Sequence, residues 1–302
     1  MTQAIVYGAV PAGLADVPAG ALQASPLVPG ATLLEAVAPG TAGQIVMVVP
    51  PGTIERRYAL AQALRVLGVG GVLIAMGPKD KGGSRIRKEL QGLGCDVAER
   101  SGNHWRICRA LRPAVLEGLD GVLAEGAPRF DEALDLWTQP GIFSWDRIDD
   151  GSALLLDVLP PLSGHGLDLG AGLGLLSRAV LAANPAVTAI EAVELDARAL
   201  AAARRNVADE RAHFHWLDVR EGLPFTGLDF VVMNPPFHSG GADDVGLGRT
   251  FLQRARAVLR PGGALWMVAN RHLPYEAELS ELFSKMEAVK ETGRFKVVKA
   301  TA

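Results

Sequence analysis

His165-Gly-Leu-Asp168-Leu-Gly170-Ala-Gly172-Leu-Gly174 reads as a buried strand, a glycine loop and the opening of a helix. Glycines let the backbone approach a ligand closely, and the N–H groups of a helix N-terminus favour anionic groups. The spacing is D-x-G-x-G-x-G. A dinucleotide fingerprint, G-x-G-x-x-G, would need glycine at Leu175 counted from Gly170, or at Ser177 counted from Gly172. The nicotinamide reading therefore loses support. The loop by itself fits a tight structural turn as readily as a ligand site.

Outward from this loop the chain alternates. A helix runs to Ala183, and a second strand, Val187–Glu194, precedes an alanine-rich helix to Val207. Further strands read near Ala212–Leu217 and at Leu228–Met233. A helix covers Gly248–Leu259, and Arg260-Pro-Gly-Gly263 turns into a strand at Ala264–Ala269. Glu287–Ala300 reads as two strands around Gly293. Upstream, Asp149 or Asp150 can cap a helix through Leu159. Alternating strands and helices imply an α/β protein, with a mostly parallel sheet covered by helices on both faces.

The first half of the chain carries the same rhythm more faintly. Gln44-Ile-Val-Met-Val-Val49 is a short strand ended by Pro50-Pro51, and Arg56–Leu67 has helical spacing. Gly70-Gly71 opens a strand at Val72–Met76, and a helix at about Ser84–Leu93 leads to two extended runs ending near Ala110. Residues 229–300 repeat this order: "IVMVVPP" stands opposite "FVVMNPP", and "ALAQALRVLGVGGVLIAMG" opposite "FLQRARAVLRPGGALWMVA". The first copy has Val49 where the second has Asn234, and no glycine loop after an acidic strand end. Between them, residues 113–140 hold six acidic residues and one basic. They read as a connector with a helix near Asp131–Trp137. The expected domains are thus 1–112, a connector 113–140, and 141–302.

Composition agrees with a packed two-domain protein. The chain has 302 residues, 49% hydrophobic and 21% charged, and a net charge of −3 that excludes a globally basic nucleic-acid binder. Two cysteines are too few for a disulfide scaffold or a cysteine-rich zinc site, and no other His, Cys and carboxylate spacing suggests a metal. No apolar run reaches the roughly 18 residues of a membrane span. MTQAIVYGAV lacks a basic signal-peptide start, so a cytoplasmic protein is expected.

Three further sites carry chemistry. Glu194, 20 residues beyond Gly174, is placed to accept both ribose hydroxyl protons of a nucleoside cofactor, or to be a solvated carboxylate before Asp196. Asp218, after the third strand, is placed for an adenine amine or for an ordinary turn. Asn234-Pro235-Pro236-Phe237 ends the fourth strand. There the Asn234 side-chain oxygen and the Pro235 carbonyl can accept both hydrogens of a planar NH2 group, Pro235-Pro236 fixes the backbone, and Phe237 can stack on a flat base.

Together these elements resemble class I S-adenosylmethionine-dependent methyltransferases that modify exocyclic or amide nitrogens. Gly141-Ile-Phe-Ser144, Ile148-Asp-Asp-Gly-Ser-Ala-Leu-Leu-Leu156, Asn234-Pro-Pro-Phe-His238, Leu273-Pro-Tyr275 and Thr292-Gly-Arg-Phe-Lys296 narrow the resemblance to the small-subunit ribosomal RNA guanine-N2 methyltransferases. The resemblance implies a Rossmann-like seven-stranded methyltransferase sheet with helices on both faces. It also implies a smaller N-terminal α/β domain that is a degenerate methyltransferase copy. By it, Asp168, Gly170, Gly172, Gly174, Glu194, Asp218 and Asn234 line S-adenosylmethionine, Phe143, Asp149 and Gly151 close over it, and Asn234 to Phe237 hold the target amine. Asp150 departs from the family pattern, which has a small apolar residue there.

The implied reaction is methyl transfer to guanine N2 in small-subunit ribosomal RNA. Adenine-N6 or protein glutamine-N5 methylation at the same N-P-P-F site is an alternative, as is a non-catalytic RNA-binding protein. The charge is uneven: residues 79–112 hold nine basic against four acidic residues, whereas residues 141–302 hold 17 basic and 20 acidic. The ribosomal RNA or small subunit is therefore expected on residues 79–112, a solvated basic face being the other reading. Two similar linked domains would suit a monomer.

Overall fold

The computed structural model describes residues 3–236, 238–239, 242–243 and 245–302. It divides into two compact units, Met1–Pro128 with Gln139–Gly141, and Arg129–Thr138 with Ile142–Ala302. Residues 113–140, expected as a connector, are shared between them. Leu116, Leu119, Val122 and Leu123 pack on the first core, whereas Leu136 is buried with Ile142, Leu173, Ala199 and Ala202 of the second.

The first unit runs β1 (Gln3–Tyr7), β2 (Leu22–Gln23), β3 (Ala42–Val48), α1 (Thr53–Val66), β4 (Leu67–Pro78), α2 (Ile86–Gln91), β5 (Val97–Gly102), β6 (Trp105–Leu111) and α3 (Leu119–Gly126). Its six strands lie in the order β2-β1-β3-β4-β6-β5. β6 is antiparallel to both neighbours and the other pairings are parallel.

The second unit opens with a hairpin, β7 (Arg129–Asp131) and β8 (Leu136–Thr138), where a helix was expected. The Asp131 carboxylate accepts from Ala133 N at 3.0 Å and Leu134 N at 3.1 Å, and Asp135 turns the chain with φ 53°. These side-chain-to-backbone bonds favour a turn over a helix. Then follow α4 (Asp150–Val158), β9 (Gly164–Leu169), α5 (Leu175–Ala183), β10 (Val187–Glu194), α6 (Ala197–Asn206), β11 (Ala212–Trp216) and β12 (Leu228–Met233). The chain continues through β13 (His238–Ser239), β14 (Ala242–Asp243), α7 (Val245–Val258), β15 (Leu259–Asn270), α8 (Glu276–Leu282), β16 (Lys285–Glu291) and β17 (Phe295–Thr301). The seven-stranded sheet has the order β11-β10-β9-β12-β15-β17-β16, with β17 antiparallel to both neighbours. One face buries Leu167, Val231 and Met267 with Leu252 and Leu279 of α7 and α8; the other buries Ile190, Val232 and Val268 with Leu155 and Val180 of α4 and α5. Each fully buried aliphatic side chain of this kind contributes about 1.5–3 kcal/mol.

The two sheets repeat each other. Strand order and direction in β2-β1-β3-β4-β6-β5 match β10-β9-β12-β15-β17-β16, so the first sheet lacks only a counterpart of β11. The correspondence extends to single bonds. Glu194, ending β10, accepts from Gly172 N after β9 and from Asp196 N two residues on. Gln23, ending β2, accepts from Gly8 N after β1 and from Ser25 N two residues on. The amide nitrogen of Gln23 also donates to the Gly8 carbonyl, which closes the loop on itself, and no helix stands between β1 and β2. Among the described residues, no helix is long and apolar enough to cross a membrane.

Candidate active site

The order β10-β9-β12 sets three strand ends side by side, and each contributes one polar element. Ligands of open parallel sheets sit beyond such carboxyl ends. After β9 the loop turns on Gly170, Gly172 and Gly174, with φ of 80°, 54° and 80°. Gly170 N and Ala171 N donate to the Val193 carbonyl of β10 at 2.9 Å each. Gly172 N donates to Glu194 Oε2, and Asp196 N to Glu194 Oε1, both at 2.8 Å. The Glu194 carboxylate, with backbone donors on both oxygens, still keeps acceptor capacity for a ligand hydroxyl. Burial raises the Glu194 pKa, against the pull of these backbone donors.

Asp168 is fully buried. Its Oδ2 accepts from Ser177 N at 2.9 Å and Ser177 Oγ at 2.6 Å, while Oδ1 has no partner. Burial pushes its pKa up to about 6, opposed by the Ser177 hydrogen bonds. Gly174, also expected to line the cofactor, is closely packed: a Cβ there would press on Val207 at 2.9 Å and Ala203 at 3.1 Å. Asp218 stands where expected, after β11. Its carboxylate caps the turn Val219–Glu221 and is paired with the Arg220 guanidinium, so a ligand amine there would share it.

β12 ends at Asn234, which is half-buried; Pro235 is buried and Pro236 exposed. Phe237 lies outside the described residues. Asn234 Nδ2 donates to Asp149 Oδ2 at 2.7 Å and to Ser152 Oγ at 2.9 Å. Asp149 is the N-cap of α4, accepting from Ser152 N at 2.8 Å through the same oxygen. Asp149, expected to close over the cofactor, is thus also bonded to Asn234, the residue expected to hold the target amine. Gly151, expected to close over the cofactor, is closely packed: a Cβ there would sit 3.0 Å from Asp149 Oδ2 and 3.3 Å from the Phe295 ring. Ser152 was not anticipated as a functional residue. Its only sequence signal is its place three residues after a capping aspartate.

Phe143, Ile148, Asp149, Gly170, Gly172 and Asn234 line one cleft. Phe143 is 65% exposed and Ile148 37%. Two large apolar side chains open to solvent at this cleft are what a bound ligand would cover. Among the described residues, no group of His, Cys, Asp and Glu is arranged to hold a metal ion.

Residues 133–299 match the methyltransferase small domain family. The ribosomal RNA small subunit methyltransferase C of Vibrio cholerae is 30% identical over 257 residues, covering 83% of this chain and 75% of that protein. The enzyme of the same name from Pseudomonas paraeruginosa is 32% identical over 278 residues, covering 90% and 83%. The chain belongs to the ribosomal RNA small subunit methyltransferase C family. Among solved structures, the T. thermophilus 16S rRNA N2 G1207 methyltransferase (RsmC) in complex with AdoMet and guanosine matches with a TM-score of 0.73 and 27% identity. That match covers 89% of this chain and 75% of the other.

The site of this chain fits S-adenosylmethionine. Asp168 Oδ1 is a buried acceptor without a donor, a deficit of about 1–3 kcal/mol that a ligand donor relieves. Glu194 keeps acceptor capacity for hydroxyls. A Cβ added at Gly172 would meet nothing within 4 Å, so the loop presents bare backbone to open space. The fit has a pH signature. Because the folded-state pKa of Asp168 is raised from 3.8 to about 6, the free protein has this group's stability in full only below the ordinary carboxylate pKa. That stability is lost as pH rises through about 6. A cationic ligand binds the ionised form. Cofactor affinity is therefore expected to be flat above pH 7 and to weaken by up to about tenfold per pH unit below 6. Calorimetric titration across pH 5–8 checks this, and Asp168→Asn should flatten the profile.

Proposed function

We propose that this protein transfers a methyl group from S-adenosylmethionine to the exocyclic N2 amine of a guanine in small-subunit ribosomal RNA. The observation that carries the reading is Asn234 at the end of β12, both amide hydrogens spent on Asp149 and Ser152, beside the glycine loop and Glu194. What it has left to offer a substrate is an acceptor oxygen, which suits an NH2 group. The relatives' names and the guanosine in the solved RsmC complex support guanine as the base.

When bound, S-adenosylmethionine supplies a methyl group on a sulfonium whose departure leaves a neutral thioether. Phe143, Asp168, Gly170, Gly172 and Glu194 are assigned to hold it. Asn234 Oδ1 and the Pro235 carbonyl accept the two amine hydrogens and set the nitrogen lone pair, Pro236 fixes the backbone that follows, and Phe237 is assigned to stack on the base. The guanine nitrogen gains a carbon and sheds one proton to water after attack. No general base is required beforehand, so the residues act by positioning. Methyl transfer to unmodified small ribosomal subunits, with nucleoside analysis of the product, tests the reading. Such a substrate places the enzyme in the cytoplasm.

The first unit supplies the RNA-facing charge in this account. Of its nine basic residues at 79–112, Arg100 and Arg112 donate to backbone carbonyls and Arg106 pairs with Glu99. Lys79, Lys81, Arg85, Arg87, Lys88 and Arg109 are exposed. Arg85 and Lys88 line a cleft with Thr53 and Arg57. Exchanging Arg85, Arg87 and Lys88 for Glu is expected to lower RNA methylation about 10- to 100-fold at physiological salt, without changing cofactor affinity. Unchanged activity on ribosomal particles would make this a merely solvated face.

A further inference from the structure

We propose that Asp149 and Ser152 are positioning residues that lock the Asn234 amide with its oxygen toward the substrate. The inference rests on the proposed methyl transfer to an amine, and it adds residues that orient the acceptor. A primary amide has two faces, one donating and one accepting, related by a rotation that costs little in free solution. Only one face serves an incoming NH2 group. A carboxylate is acceptor-only, so the group 2.7 Å from Asp149 Oδ2 has to be the Asn234 nitrogen. The flipped amide would set two acceptors against each other. Ser152 Oγ, 2.9 Å from the same nitrogen, takes the other hydrogen.

The anchor itself is fixed. Asp149 Oδ2 is tied to Ser152 N as the cap of α4, and Ser152 is only 8% exposed. Leu155, one turn further, is fully buried. Arg294 pairs with Asp150 at 2.9 Å and Lys290 with Asp157 at 2.6 Å, tying both ends of α4 to the β16–β17 hairpin. A charge-assisted hydrogen bond of this kind corresponds to roughly a 10- to 100-fold preference between the two amide orientations.

Three variants test it. Ser caps a helix about as well as Asp but is too short to reach Asn234, whereas Asn keeps both the cap and an acceptor oxygen. Asp149→Ser is expected to lower kcat about 10- to 100-fold, with KM for RNA and Kd for S-adenosylmethionine within about threefold and the melting temperature nearly unchanged. Asp149→Asn should recover most of that loss, and Ser152→Ala should give a smaller one. An activity-independent readout uses selective 15N-asparagine labelling, since the chain has five asparagines. The Asn234 side-chain NH2 protons should exchange slowly in the wild type and rapidly in Asp149→Ser. Wild-type kcat in Asp149→Ser, or amide protection that survives it, would overturn the inference. So would an Asp149→Asn variant as impaired as Asp149→Ser, or a cofactor Kd that rises in step with the lost kcat, which would return Asp149 to the cofactor wall. A wild-type protein that transfers no methyl to guanine overturns the proposed function instead, and the exchange of the Asn234 protons then decides the lock alone.

Discussion

Asn234→Ala is expected to lower kcat about 10²–10³-fold, while Kd for S-adenosylmethionine stays within about threefold. Alanine keeps the backbone before Pro235-Pro236, so the end of β12 retains its direction. What disappears is the amide, and with it the acceptor for one amine hydrogen. Transition-state alignment is lost and ground-state binding of the cofactor is not, because the residues assigned to the cofactor, Phe143 and those of β9, β10 and their loops, are left in place. The variant also strips Asp149 and Ser152 of their shared donor. A stability loss of about 1–3 kcal/mol is expected, since a half-buried carboxylate then has one partner fewer. Steady-state kinetics, calorimetry and thermal denaturation separate the three effects. Turnover near the wild-type value would remove Asn234 from the reaction.

Gly172→Val is expected to act at the opposite pole, raising Kd for S-adenosylmethionine by 100-fold or more. Gly172 has φ 54°, the left-handed region, where an L-residue costs about 1–2 kcal/mol and a β-branched one more. Its N–H is held by Glu194 at 2.8 Å, so the loop cannot swing away without breaking that bond. A Cβ at this position meets nothing within 4 Å, and Gly172 lines the cleft, so the valine would stand in the space assigned to the ligand. The fold should survive with a melting temperature lowered by a few degrees. A Kd within threefold of wild type would show that the cofactor lies elsewhere.

The second unit was legible because its signals are local. A strand that ends in Asp168 before a glycine loop, one that ends in Glu194, and one that ends in Asn234-Pro235-Pro236 each announce a terminus. A parallel sheet gathers such termini at one edge. The repeat was legible as a rhythm of turns, yet β1 and β2 in the first 45 residues carried no motif. Their kinship shows only in the bonds of Gln23, where a neutral amide does what Glu194 does and then seals the loop.

Roles that depend on long-range partners were not legible. Asp149 and Asn234 are 85 positions apart, and nothing in either stretch says that they meet. Glu191, buried in β10, is satisfied by His165, His213 and His215 from the strands on either side, a cluster that only the register of β9, β10 and β11 creates. The β7–β8 hairpin was misread as a helix because Asp131 caps a helix and starts a turn with equal ease. α8 was missed because its seven residues, Glu276–Leu282, are held by burial of Leu279 rather than by any long periodicity.

The identity of the methylated atom can be read directly from the RNA. Small ribosomal subunits and free small-subunit RNA lacking the modification would be incubated with the protein and methyl-labelled S-adenosylmethionine, and the RNA digested to nucleosides. The label is expected in N2-methylguanosine, dependent on Asn234. Label in N6-methyladenosine or in a protein glutamine, or cofactor binding with no transfer to either substrate, would contradict it.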